Sequence, residues 1–139
     1  MVKNAEKLRK ELSLRNEVKG GIIFKIKDDP RITKFGKILR KLSLDELPQI
    51  INILKGEMSF VGPRPPIVDE VNSYNHDQMQ RLSVRPGLTG LTQVKGRSEL
   101  TFKKWVRWDL WYINNWSFAL DLQIILWTIP VVLKGKGAY

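Results

Sequence analysis

Apolar positions fall in short blocks whose spacing changes along the chain. In "AEKLRKELSL" Ala5, Leu8 and Leu12 share a stripe with Glu and Lys/Arg around it, which predicts an amphipathic helix from about Asn4 to Arg15. In "GGIIFKIK" Ile22, Phe24 and Ile26 alternate with Ile23, Lys25 and Lys27 between Gly-Gly and Asp-Asp-Pro, the pattern of a short strand. "DDPRITKFG" reads as a turn and connector. "KFGKILRKL" reads as a helix with Lys34, Lys37, Arg40 and Lys41 around Phe35, Ile38 and Leu39. Leu47, Ile50, Ile51 and Leu54 return at helical spacing and stop at Lys55-Gly56. After a Pro- and Gly-rich loop, "IVDEVNSYNHDQMQRLSV" predicts a helix and "RPGLTGLTQVKGR" a short strand among turns. "LTFKKWVRWDLWYINNWS" and "FALDLQIILWTIPVVL" predict a pair of aromatic and apolar helices before the tail "KGKGAY". The order predicts an α+β fold, a mainly helical single domain over residues 1–139 with a short β-hairpin or small sheet.

Composition narrows the class. With 139 residues, 42% hydrophobic and 27% charged, the chain suits a globular domain with a modest core. Its formal charge of +10 is uneven: residues 1–41 hold thirteen Lys/Arg against five Asp/Glu. Such a surface attracts polyanions, whether nucleic acid, an anionic leaflet or a phosphorylated substrate. The absence of cysteine excludes disulfides and thiolate metal sites. The longest apolar stretch, Phe118 to Leu133, is cut by Asp121, Gln123 and Pro130, so no spanning helix is expected. The charged start "MVKNAEKLRKEL" is not a signal peptide, and the N-terminus is expected to stay cytoplasmic.

The chemistry concentrates in "SLDELPQIINILKGEMSFVGPRPP". Asp45 and Glu46 sit at the start of a helix. A capping box, with Ser43 at the N-cap and Glu46 at N3, accounts for them on helix grounds alone. Pro48 disturbs that reading: it removes a donor and crowds the Leu44 carbonyl, so the first turn bends or the helix starts later. Carboxylates at such an irregular entrance suit a nucleophile or a hard cation such as Mg²⁺. Arg64 in "GPRPP" and Arg85 in "VRPGLTG" are stiffened by neighbouring prolines, which lowers the entropy lost in clamping a phosphate. Acids and arginines together suggest phosphoryl transfer.

In "DDPRITKFGKILRKLSLDELPQIINILKGEMSFVGPRPP", "RLSVRPGLTGLTQVKGR" and "WVRWDLWYINNWSFALDLQIILWTIPVVLKGKGAY", the chain resembles the bacterial sugar transferases, the monotopic phosphoglycosyl transferases. The resemblance implies transfer of a sugar 1-phosphate from a UDP-sugar to undecaprenyl (polyprenyl) phosphate, with release of UMP. It puts the nucleophile of a phosphosugar-aspartyl intermediate at Asp45, and Glu46 beside it as a Mg²⁺ ligand, with Asp45 sharing the metal. Arg64 and Arg85 become phosphate binders, and Gln93 and Arg97 line the sugar nucleotide pocket. The implied setting is the first membrane step of exopolysaccharide, capsule or O-antigen synthesis, on the cytoplasmic face of the bacterial inner membrane. A hexose such as glucose or galactose is the expected sugar. Family members normally begin with a basic-flanked hydrophobic segment that enters and leaves one leaflet; none is present in this sequence, so the expectation is the catalytic part without it.

All five tryptophans lie in the last 35 residues, and Trp105, Trp108 and Trp111, spaced by three, are expected on one side of a helix. Core packing and contact with the bilayer headgroups both fit that stripe. His76 reads as a solvated helix residue. Two other classes compete: a basic nucleic-acid-binding module and a non-catalytic truncated remnant. Against the former, no helix-turn-helix, RNA-recognition or zinc signature is present, and the aromatics are segregated from the basic third. The expected partners are therefore a UDP-sugar, the polyprenyl phosphate and the inner-membrane surface, with no nucleic acid and with homo-oligomerisation left open.

Overall fold

The computed structural model describes residues 5, 29–41, 43–96 and 100–134. The helix expected from about Asn4 to Arg15, the strand expected in residues 20–27, Arg97 and the tail after residue 134 lie outside these, apart from Ala5. The described elements are helices α1 (Lys34–Lys41), α2 (Gln49–Leu54), α3 (Val68–Val71), α4 (His76–Met79), α5 (Leu91–Lys95), α6 (Phe102–Asn114) and α7 (Phe118–Lys134), with strands β1 (Ser59–Val61) and β2 (Gly87–Thr89). Short 3₁₀ turns cover Leu44–Glu46 and Gln80–Ser83.

The small sheet is a parallel pair, Ser59 opposite Gly87 and Val61 opposite Thr89, and not a hairpin. A parallel pair needs a crossover, and residues 62–86 supply it. That crossover is not the single helix expected over "IVDEVNSYNHDQMQRLSV". It breaks into α3, α4 and a 3₁₀ turn because Asn75 takes an extended conformation and starts a new helix. The Asn75 side chain accepts from the Gln78 N–H, and the Gln78 side chain accepts from the Asn75 N–H.

Where β1 ends, backbone meets backbone. A Cβ on Gly90 would run into the Gly62 carbonyl, and one on Gly87 into the Gly62 nitrogen. Only glycine permits this approach, which sets α5 directly against the end of β1.

Two apolar clusters hold the elements together. Val61, Leu91, Tyr112 and the fully buried Ile124 join β1, α5, α6 and α7; Phe102 and Trp105 pack with Tyr74 and Leu100 on the other side of α6. Between them runs a buried ion pair. Arg81 Nε donates to Asp109 Oδ2 at 2.7 Å and Nη1 donates to the Tyr74 hydroxyl at 2.8 Å. Burial pushes the Asp109 carboxyl up to about 6, against the pull of Arg81.

The three tryptophans of α6 do not share one side. Trp105 is 3% exposed and Trp111 is 44% exposed, with Trp108 between. A step of three residues falls short of the 3.6-residue turn, so the stripe rotates from core to surface.

Candidate active site

The stretch from α1 to α2 is built around Pro48. Ser43 reverses the chain in the left-handed region, φ 55° and ψ 23°. Pro48 has no N–H for the Leu44 carbonyl, which accepts instead from the Leu47 N–H at 3.3 Å and closes a 3₁₀ turn. The α-helix begins only at Gln49, with Pro48 at its N-cap. This is the later start and irregular entrance that the sequence predicts. The capping box is corrected: Ser43 makes no side-chain cap bond, because an N-cap side chain reaches the helix from extended φ/ψ and Ser43 is left-handed.

The turn separates the two acids. Asp45 is exposed, its side chain at 41%, and its Oδ2 lies 3.7 Å from Arg40 Nε. That is an ion pair too long for a hydrogen bond. Glu46 is half-buried and faces a cleft of about 450 Å³, whose walls include Leu44, Phe60 and Leu88 on one side and Ile125 and Ile129 of α7 on the other. Gln93, on the first turn of α5, lines the same cleft.

A second cleft of about 460 Å³ adjoins the first, since Phe60 lines both. Exposed Arg85 stands at its wall beside Met58 and Trp116. Asp121 stiffens its rim by accepting from the Tyr112 hydroxyl at 2.8 Å and from Trp116 Nε1 at 3.1 Å. Burial, with that carboxylate beside it, pushes the Tyr112 phenol up.

The structure thus brings Asp45, Glu46 and Gln93 to one cleft and Arg85 to its neighbour. Arg64 lines neither. Its guanidinium lies 5.6 Å from the Trp105 ring centroid, and its Nη1 is buried with no hydrogen-bond partner in the structure. A buried unpartnered donor on a cation is costly, so Arg64 is the atom set most ready to receive an anion.

Sequence reading missed Arg40, taken as one more cation on the basic face of α1. The usable signal was its position five residues before Asp45, across a turn that must fold back. Arg40 also helps lower the pKa of Asp29, whose carboxyl is held down chiefly by the side chain of Arg31. Asp29 and Arg31 form a buried bidentate pair, and the Arg31 N–H donates to the same carboxylate at 2.9 Å.

Among the described residues no three His, Cys, Asp or Glu side chains converge, so no site there would hold a metal by protein ligands alone. Two adjacent carboxylates are nonetheless the donor set that Mg²⁺ accepts when phosphate oxygens and water complete its shell. Asp45 and Glu46 fit it.

Comparison with known proteins agrees with this site. A family model described as bacterial sugar transferase matches residues 1–135. The galactosyl transferase CpsE of Streptococcus agalactiae is 54% identical over 97% of the chain and 30% of its own length. The undecaprenyl-phosphate galactose phosphotransferase of Salmonella typhimurium is 45% identical over 100% of the chain and 30% of its own length. The UDP-glucose:undecaprenyl-phosphate glucose-1-phosphate transferase of Xanthomonas campestris is 51% identical over 81% of the chain and 25% of its own length. The chain spans about a quarter to a third of the length of these three relatives.

Proposed function

The chain belongs to the bacterial sugar transferase family, and from that premise we propose that it transfers a hexose 1-phosphate from a UDP-sugar to undecaprenyl phosphate. The observation that carries the reading is the divided dyad: Asp45 exposed beside Arg40, Glu46 turned into a cleft, both on a turn that Pro48 keeps out of the helix.

In the first step a carboxylate oxygen of Asp45 attacks the phosphorus that bears the sugar. The bond from that phosphorus to the bridging oxygen breaks, and UMP leaves with the electron pair. In the second step an oxygen of the lipid phosphate attacks the same phosphorus, the bond to Asp45 breaks, and the carboxylate is restored. Arg40 holds the Asp45 carboxylate in place and meets the charge that develops on the phosphoryl oxygens. Arg64 and Arg85 bind the diphosphate, and Glu46 with Asp45 would hold Mg²⁺. When bound, the ion neutralises the diphosphate and the departing nucleotide.

The membrane setting is part of the proposal. The lipid phosphate lies at the bilayer surface, and α7 exposes Leu122, Leu126, Ile129 and Leu133 along one stripe beside the cleft. The cytoplasmic leaflet, where UDP-sugars are available, is the side this places it on. The reaction would begin synthesis of an exopolysaccharide, capsule or O-antigen unit.

The test is release of UMP from UDP-galactose and UDP-glucose in the presence of Mg²⁺ and undecaprenyl phosphate. Asp45→Asn should slow it by about 10³-fold or more. Undiminished turnover in that variant would end the assignment.

A further inference from the structure

The cleft beside Glu46 has a hydrogen-bond polarity that selects which end of the donor it holds. Gln93 Nε2 donates to the Leu88 carbonyl at 3.3 Å, which turns Oε1 the other way; Oε1 is buried and has no partner in the structure. Gly90 leaves room for it, since a Cβ there would stand 3.0 Å from that oxygen. The cleft's threonines are constrained as well. Thr128 Oγ1 donates its one proton to the Ile124 carbonyl at 2.8 Å. In the 2.7 Å contact between Thr89 and Thr128 the donor is therefore Thr89, and its hydroxyl keeps only lone pairs to offer.

Thr89, Gln93 and Glu46 thus present acceptors to the same cleft. A diphosphate brings acceptors and negative charge, and would meet nothing there but lone pairs and a carboxylate. A sugar brings a row of O–H donors and no charge. The apolar side chains around these acceptors exclude water, so a hydroxyl that reaches them is discriminated more sharply than at an open surface.

We infer that the cleft between the Leu44–Glu46 turn and α7 binds the sugar of the donor through its hydroxyls, with Gln93 Oε1 and Thr89 Oγ1 as the accepting atoms. The diphosphate then lies outside it, toward Asp45 and the arginines. This rests on the sugar transferase reading above and assigns specificity within it.

The experiment compares two ligands that differ only by the sugar. UDP-galactose and UDP are titrated calorimetrically, with Mg²⁺, into the chain and into its Gln93→Met, Thr89→Val and Thr89→Ser variants, each checked for native circular dichroism. Gln93→Met and Thr89→Val should each weaken UDP-galactose by about 3- to 10-fold and leave UDP unchanged, the size of one neutral hydrogen bond. Thr89→Ser, which keeps the hydroxyl, should retain affinity. Equal losses for both ligands, or none for either, would overturn the inference. So would weakened binding of a short-chain polyprenyl phosphate with UDP-galactose unaffected, which would give the cleft to the lipid. If the unmodified chain bound neither nucleotide, the transferase reading itself would fail and take the inference with it; if it bound UDP and UDP-galactose equally, only the inference would fail.

Discussion

At the residue scale, the arrangement turns on how Arg40 and Asp45 share a short reversal of the chain. Both are partly exposed and 3.7 Å apart, so their attraction contributes at most about 1 kcal/mol to stability. Its value lies in aim: a guanidinium fixed by α1 presents the carboxylate to an incoming phosphorus. Arg40→Ala should therefore lower UMP release by about 10²-fold while the thermal midpoint hardly moves, and Arg40→Lys should recover only part, since an ammonium lacks the planar fork. A rate unaffected by either change would remove Arg40 from the site. Asp29 and Arg31, at the approach to α1, behave differently because they are buried. The Asp29 carboxyl titrates below its ordinary 3.8, held down by Arg31. A lowered folded pKa adds stability that is complete above the unfolded value and is lost as pH falls through the folded one. Asp29→Asn should thus cost about 2 kcal/mol at pH 7, and the difference from the unmodified chain should shrink below about pH 4. Melting curves from pH 2.5 to 7 check both. None of this was legible as such in the sequence. Arg40 reads as one of four basic residues on a helix, and Ser43 reads as an N-cap, because a left-handed serine leaves no mark in the residue pattern.

At the element scale, what local periodicity carries was legible and what depends on distant backbone was not. The helices α6 and α7 are long and regular, and their apolar patterns announce them. Pro48 announces the displaced start of α2, since a residue without an N–H dictates where a helix can begin. The break within residues 67–84 had its own signal, Asn75 followed three residues later by Gln78, which a continuous helical reading passes over. The parallel pairing of β1 with β2 could not be read at all: each strand has three residues, and what joins them is backbone contact across the crossover. Gly90 carries that contact. Gly90→Ala places a methyl group against the Gly62 carbonyl, where no side chain can yield, and should cost about 3 kcal/mol or more by denaturant unfolding. Because α5 carries Gln93, a Gly90→Ala chain that still folds should also lose affinity for UDP-galactose. Ala tolerated at that position without cost would mean that the close approach of β1 and α5 does not hold the site.

At the scale of the whole molecule, the described surface is unusually rich in large apolar side chains for a domain of this size. Leu133 is 77% exposed and Leu126 62%, on the same stripe of α7, and among the described residues no helix is long and apolar enough to cross a membrane. A helix of this kind gains most by lying along an interface with its stripe in the acyl boundary, where burial of one leucine is worth about 1.5–3 kcal/mol. The charge supports the same posture, because residues 1–41 hold most of the net +10 and an anionic leaflet attracts it. The two contributions separate by experiment. Sedimentation with vesicles containing phosphatidylglycerol should be weakened by salt but not abolished, since burial of the stripe is not screened. Leu126→Ser with Leu133→Ser should reduce binding by about tenfold or more at any salt concentration while UDP binding persists. If the double variant sedimented as well as the unmodified chain, the stripe would have to be covered by something other than lipid, and the cleft it borders would not open toward the bilayer.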